Sequence, residues 1–162
     1  MIPARAEFVL LSSVLAFALA LIAFIAIAGG SDTSQWGRTG YESLKVTPAA
    51  FIATLLGTLA VTAWHARARA RQRRWSAGGL TLRALLLAFT CFPAVLVLWF
   101  GGMVLIESTG GALDSGLVWV LPTVLLFTGI AIVFGAVPAF VIEYFVCRRY
   151  LRRTADVTTG SA

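Results

Sequence analysis

The sequence predicts an all-α integral membrane protein, an antiparallel up-down bundle of four transmembrane helices that forms one domain over residues 1–162. Hydrophobic residues make up 59% of the chain and charged residues 12%, whereas soluble domains carry about 25% charged residues. The apolar residues fall into four long runs, and roughly 20 such residues suffice to cross a bilayer. The polar segments between the runs are too short to bury a core of their own.

The predicted loop 65–83 sets the orientation of the bundle, because lysine and arginine beside transmembrane helices are retained on the cytoplasmic side. We therefore predict that this loop and both termini are cytoplasmic. The loop arginines are also candidate contacts for anionic headgroups of the inner leaflet. They are Arg67, Arg69, Arg71, Arg73 and Arg74.

The net charge of +6 is explained by this topology and not by nucleic acid binding. Of all the basic residues, only Arg38 and Lys45 fall in the predicted outer segments. Nearly all of the positive charge therefore faces the inner leaflet. The excess of arginine over lysine is typical of a GC-rich bacterial genome, so we predict a bacterial inner membrane.

The first predicted helix covers residues 8–28. Ala26-Ile27-Ala28 resembles a signal-peptide cleavage site, and Arg5 precedes the run. The run is longer than the apolar core of a signal peptide, which favours a retained helix. The outer loop that follows, 29–47, has glycine and turn signals without helical periodicity, and its Trp36 and Tyr41 are expected at the level of the headgroups.

The second predicted helix, 48–64, begins with Thr47 as N-cap and Pro48 in the first helical position. Small residues recur in it at four-residue spacing and recur again in the fourth predicted helix, 117–147. Small residues allow close approach of membrane helices, so these rows predict a packing seam, which we favour over a polar permeation path. The seam residues are Ala49, Ala53, Gly57, Thr54, Thr58, Ala131, Gly135 and Ala139.

The third predicted helix, 84–106, and the fourth each contain a proline at the same distance from an inner arginine. Pro93 follows Arg83 by ten residues and Pro138 precedes Arg148 by ten, which is about 15 Å along a helix. Proline removes a helical hydrogen bond and can bend the helix. Two bends at one depth are therefore predicted near the bilayer centre.

Matched bends could open a small cavity inside the bundle. Its expected lining is Thr90, Cys91 and the carbonyl groups of Phe89 and Phe134, which the prolines leave without hydrogen-bond donors.

Glu143 is the only acid embedded in an apolar run. A carboxylate there needs a partner or a proton. The favoured expectation is that it reaches towards the headgroups and pairs with Arg83 or a loop arginine. The alternative is a functional, protonatable group.

No catalytic, metal-binding or cofactor-binding motif is present in the sequence. The single histidine, His65, is expected at the interface, and Cys91 and Cys147 as packing residues. We therefore predict no enzyme, no cofactor and no metal. The tail 154–162 is small and polar, and is predicted to be disordered.

Two functions follow from these observations. The first is an accessory or scaffolding subunit that packs against a membrane-protein partner or against itself. The alternative is a small transporter or channel component that uses the bent third and fourth helices, with Glu143 as the protonatable group. A membrane enzyme acting on lipid ranks last, because the sequence contains no recognisable nucleophile or phosphate-binding loop.

Overall fold

The computed structural model describes residues 3–29, 34, 36–72, 75–107 and 113–159. Every regular element among them is a helix, which confirms the predicted all-α bundle. The helices are α1 (Ala4–Gly29), α2 (Trp36–Leu44), α3 (Thr47–Ala70), α4 (Ala77–Glu107) and α5 (Leu113–Thr159).

Four of these helices, α1, α3, α4 and α5, are long and apolar enough to cross a membrane. The length needed is about 20 residues, and all four exceed it. The chain is therefore a membrane protein, and the four spans match the four predicted helices.

The long helices form a ring in which each packs against two others. α1 packs against α3 and α5, and α4 packs against the same two helices. Because the chain reverses direction from one span to the next, neighbouring helices in the ring are antiparallel. One end of the ring carries most of the arginines, and we call it the arginine-rich end; it holds Arg5, Arg67, Arg69, Arg71, Arg83, Arg148, Arg149, Arg152 and Arg153.

α3 begins differently from the prediction. Val46 occupies the N-cap position without a side-chain hydrogen bond, and proline lies in the first turn. Thr47 is already helical, and its hydroxyl donates to the carbonyl oxygen of Ser43 at 3.0 Å. The predicted N-cap role of Thr47 is therefore wrong, because the preceding helix offers its hydroxyl an acceptor.

α2 was not predicted. Its glycines suggested turns, but Gly40 lies against α1, where a Cβ atom would come 3.9 Å from Ile25 Cδ1. Ser43 is buried and donates to the carbonyl oxygen of Gly40 at 2.7 Å. Packing of this polar helix on α1 therefore outweighs its weak helix propensity. Trp36 and Tyr41 are exposed on it.

The arginine-rich connection is shorter than the predicted loop 65–83. α3 continues to Ala70, and α4 begins at Ala77. Alternating alanine and arginine are good helix formers, so the helix does not stop where the apolar run ends. Gln72 then reverses the chain with a positive φ of 56°.

α5 also exceeds its predicted bounds and runs to Thr159. The tail was predicted to be disordered from residue 154, and this is wrong as far as residue 159. The ion pairs of Arg149 and Arg153 with Glu7 hold this part of α5 against α1.

α3 and α4 approach each other closely at Gly57. A Cβ atom on Gly57 would lie 2.8 Å from the backbone nitrogen of Ala88, so this position accommodates only glycine without a shift. Ala49 and Ala53 are buried nearer the start of α3, where they pack with Leu96 of α4.

Candidate functional site

A cavity of about 170 Å³ lies between α1, α3, α4 and α5. Its lining on α1 extends from Ser12 to Ile27, which is about 22 Å at the rise of an α-helix. Apolar cavities of about 150 Å³ stay dry and accept apolar guests. The cavity is therefore large enough to receive an apolar group.

The small residues of α5 leave space and do not make close contacts. Ala131, Gly135 and Ala139 all line the cavity, and a Cβ atom on Gly135 would meet nothing within 4 Å. The predicted seam residues of α3 have different surroundings: Thr54 lines the cavity, whereas Gly57 contacts α4. Thr58 is buried and donates to the carbonyl oxygens of its own helix.

Pro93 and Pro138 lie inside continuous helices, α4 and α5. Phe89 and Phe134, each four residues before a proline, line the cavity.

The other two expected lining residues lie elsewhere. Thr90 is exposed and donates to the carbonyl oxygen of Leu86 at 2.7 Å, and Cys91 packs against the apolar cluster near Leu96. Their predicted place in the cavity is wrong, because they occupy other faces of α4.

Glu143 lines the arginine-rich end of the cavity and is only 6% exposed. Its Oε1 accepts a hydrogen bond from Ser12 Oγ at 3.0 Å. Cys147 Sγ, one turn further along α5, lies 3.8 Å from the same oxygen. We call these three residues, Glu143, Ser12 and Cys147, the Glu143 site.

Within the described part of the chain, none of the ion pairs involves Glu143. Arg83, the expected partner, donates to the carbonyl oxygen of Gly79 at 3.4 Å. Its guanidinium carbon lies 4.2 Å from the ring centroid of Trp75. The expected pairing of Glu143 with Arg83 at the headgroups is therefore wrong, because an aromatic ring takes up that cation.

Three further arginines at this end are also engaged with other groups. Arg5 Nε donates to Thr62 Oγ1 at 3.2 Å. Arg149 and Arg153 pair with Glu7, the former at 2.8 Å. Glu143 is therefore buried with two neutral partners, and a charged carboxylate in such a place must take up a proton or a cation from outside the protein.

An aromatic cluster packs beneath the Glu143 site at the arginine-rich end. His65 is 3% exposed and lies inside the bundle. Its Nδ1 lies 3.4 Å from the Tyr150 hydroxyl, and its ring packs against Trp75. The Phe8 and Tyr150 rings pack against each other with a tilt of 35° and a centroid distance of 4.9 Å. These rings fill the bundle below the carboxyl group.

Three of the five candidate lipid contacts are described by the structure, and they lie on the surface and outside the cavity. Arg67, Arg69 and Arg71 are exposed at the end of α3. Arg73 and Arg74 lie outside the described residues. Among the residues that are described, no group of three or more His, Cys, Asp or Glu side chains could hold a metal ion, and Cys91 and Cys147 are free thiols.

Ser12 is the member of the Glu143 site that the sequence analysis did not single out. A signal for it existed: Ser12, Ala16 and Ala20 recur at four-residue spacing on α1 and all line the cavity. No family model matches the chain, and neither a curated protein nor a solved structure matches it.

Proposed function

We propose that this protein is a small transporter whose cavity binds a solute of apolar character and whose Glu143 exchanges a proton. The observation that carries the proposal is the burial of Glu143 at the end of the cavity without a cationic partner among the described residues. Ionisable groups inside membrane proteins are costly, and they typically mark substrate or proton pathways.

The accessory-subunit role remains a second prediction. Most large apolar side chains of α5 are exposed, among them Phe134, Phe140 and Phe145. Such a face suits a partner helix or a second copy of the chain, and it suits lipid equally well. The Glu143 site distinguishes the two functions, because a scaffolding subunit has no need of a buried carboxyl group.

We also propose that the arginine-rich end faces the cytoplasm of a bacterial cell, with both termini inside. The exposed Arg67, Arg69 and Arg71 would then contact anionic headgroups of the inner leaflet.

Infrared spectroscopy of the protein in liposomes tests the transporter proposal. The carbonyl band of a protonated Glu143 is identified by its absence in Glu143→Gln. We expect the band to disappear when the pH is raised on either side of the membrane, because a transporter exposes its site to both sides in turn.

The matched control is Glu42→Gln, which removes an exposed carboxylate paired with Lys45 and leaves the band in place. A band that does not respond to pH on either side would show that Glu143 keeps its proton permanently, and this would contradict the proposal. A band that responds from one side alone would contradict it as well.

A further inference from the structure

The chemistry of the Glu143 site and its cavity restricts the solute that the proposed transporter can carry. We infer that the solute is a lipophilic organic cation, such as an ammonium ion with an apolar body, and that its charge replaces the proton on Glu143. This inference rests on the proposed function and names its substrate class.

The charge of the site favours a cation. Glu143 has Ser12 and Cys147 as neutral neighbours and no ion-pair partner in the described part of the bundle. An anionic solute would be repelled by the carboxylate. A neutral apolar solute would leave Glu143 protonated and make no use of its exchange, and it crosses a bilayer without a protein.

The cavity lining excludes a strongly hydrated inorganic cation. Such ions need several oxygen ligands, six or more for calcium or magnesium. Apart from the Glu143 site, the side-chain oxygens on the lining are the hydroxyls of Thr47, Thr54 and Thr58. Thr47 donates to the carbonyl oxygen of Ser43 in α2, and Thr58 donates to that of Thr54 in α3. The remaining lining is apolar, as the body of an organic cation requires.

Aromatic rings on the lining add a favourable surface for such a cation. Phe134 lies nine residues from Glu143 on the same helix, and Phe24 lies twelve residues from Ser12 on α1, which is about 13 Å and about 18 Å along a helix. These rings therefore suit the apolar body of the cation, whose ammonium group pairs with Glu143. Rings from three helices, α1, α4 and α5, line the cavity, and they are Phe24, Phe89, Phe92, Phe127 and Phe134.

The exchange step balances without any co-reactant. The O–H bond of the Glu143 carboxyl group breaks, the proton passes to water, and the carboxylate forms an ion pair with the ammonium group. No electron is transferred. One proton therefore leaves for each cation that binds, and the affinity for the cation falls as the pH falls.

Of the other described charged or titratable groups at this end, those inside the bundle have partners within the protein, and Arg67, Arg69, Arg71, Arg148 and Arg152 are exposed, so the exchange belongs to Glu143. Arg5 bonds to Thr62, Glu7 to two arginines, Arg83 to Trp75 and Gly79, and His65 to Tyr150. The charged or titratable groups on each helix packed there are Arg5 and Glu7 on α1, His65 and Arg69 on α3, Arg83 on α4, and Cys147, Arg149, Tyr150 and Arg153 on α5.

Calorimetry with the full chain in nanodiscs of phosphatidylcholine tests the inference. The probe is hexyltrimethylammonium, and hexan-1-ol is its neutral counterpart. Titration in two buffers of different ionisation enthalpy counts the protons. We expect one proton to be released for each cation bound. In the pH range where Glu143 is protonated before binding, the affinity for the cation should fall about tenfold for each unit by which the pH is lowered.

The variants separate charge from shape. Glu143→Gln keeps the size and a hydrogen-bonding group, and we expect it to bind the cation at least about tenfold more weakly while hexan-1-ol binding is unchanged. Glu143→Asp keeps the charge and retains cation binding. Glu42→Gln binds like the wild type.

Equal cation binding by the wild type and Glu143→Gln, or binding without proton release, would overturn the inference. If the infrared band of Glu143 responds to pH from both sides but the cation does not bind, the solute class is wrong and the proposed function stands. If the band does not respond, both fail.

Discussion

Adjacent serines on α1 have different surroundings, although both are buried. Ser12 donates to Glu143 across 131 residues of chain, whereas Ser13 Oγ has no hydrogen-bond partner among the described residues. A hydrogen bond between membrane helices is worth about 0.6 kcal/mol. A buried hydroxyl without a partner is a cost to the folded state.

We therefore expect Ser12→Ala to destabilise the protein by about 0.6 kcal/mol and Ser13→Ala to be neutral or stabilising. Thermal unfolding in detergent, followed by circular dichroism, measures both. Equal effects of the two substitutions would show that the Ser12 hydrogen bond is not formed in solution.

Glycines of α3 and α5 provide a second comparison between single residues. Gly57→Ala places a methyl group against the backbone of Ala88, and overpacking of this kind costs about 1–3 kcal/mol. Gly135→Ala points into free space, and alanine is the better helix former by about 1 kcal/mol.

The expected outcome is a lower unfolding temperature for Gly57→Ala and an unchanged or higher one for Gly135→Ala. Gly135→Leu extends further into the cavity and is expected to weaken binding of hexan-1-ol. Unchanged binding by Gly135→Leu would mean that the cavity is not the binding place.

At the scale of the element, the sequence predicted which segments are helical better than where they end. Apolar runs set the four spans, because burial in lipid requires them. The ends depend on helix propensity and tertiary contacts, so α3 extends through Arg69 to Ala70 and α5 past Arg153 to Thr159. α2 depends on its packing against α1, which no local pattern reveals.

The prolines of α4 and α5 lead to a prediction about these elements. Pro93→Ala with Pro138→Ala restores hydrogen-bond donors to the carbonyl groups of Phe89 and Phe134, both on the cavity lining. We expect both helices to straighten, the cavity to narrow and hexyltrimethylammonium to bind about tenfold more weakly.

Pro122→Ala is the matched control, because Pro122 is also inside α5 but lies on its exposed side and away from the lining. If the double variant binds hexyltrimethylammonium with unaltered affinity, the two prolines are not needed for binding, and the role proposed for the Glu143 site is unaffected.

The whole molecule brings together residues that the sequence keeps apart. Glu143 stood out from the sequence because it is an acid in an apolar run. Its partner Ser12 did not, since the two are joined only when α1 packs against α5. Likewise, the small residues of α5 predicted contact, but whether such a row meets a neighbour or leaves a cavity depends on the spacing of all four helices.

The arrangement of charge over the whole bundle leads to the prediction for its orientation. Guanidinium groups are not readily translocated, so the arginine-rich end should stay in the cytoplasm. The two ends can be marked by one added cysteine each. Gln72 lies in the connection between α3 and α4, and Tyr41 is exposed on α2.

We expect a membrane-impermeant maleimide applied to intact cells to label Tyr41→Cys above the background of the wild type, whose Cys91 and Cys147 are free thiols. Gln72→Cys should react only after the membrane is permeabilised. Labelling of Gln72→Cys in intact cells would reverse the proposed orientation.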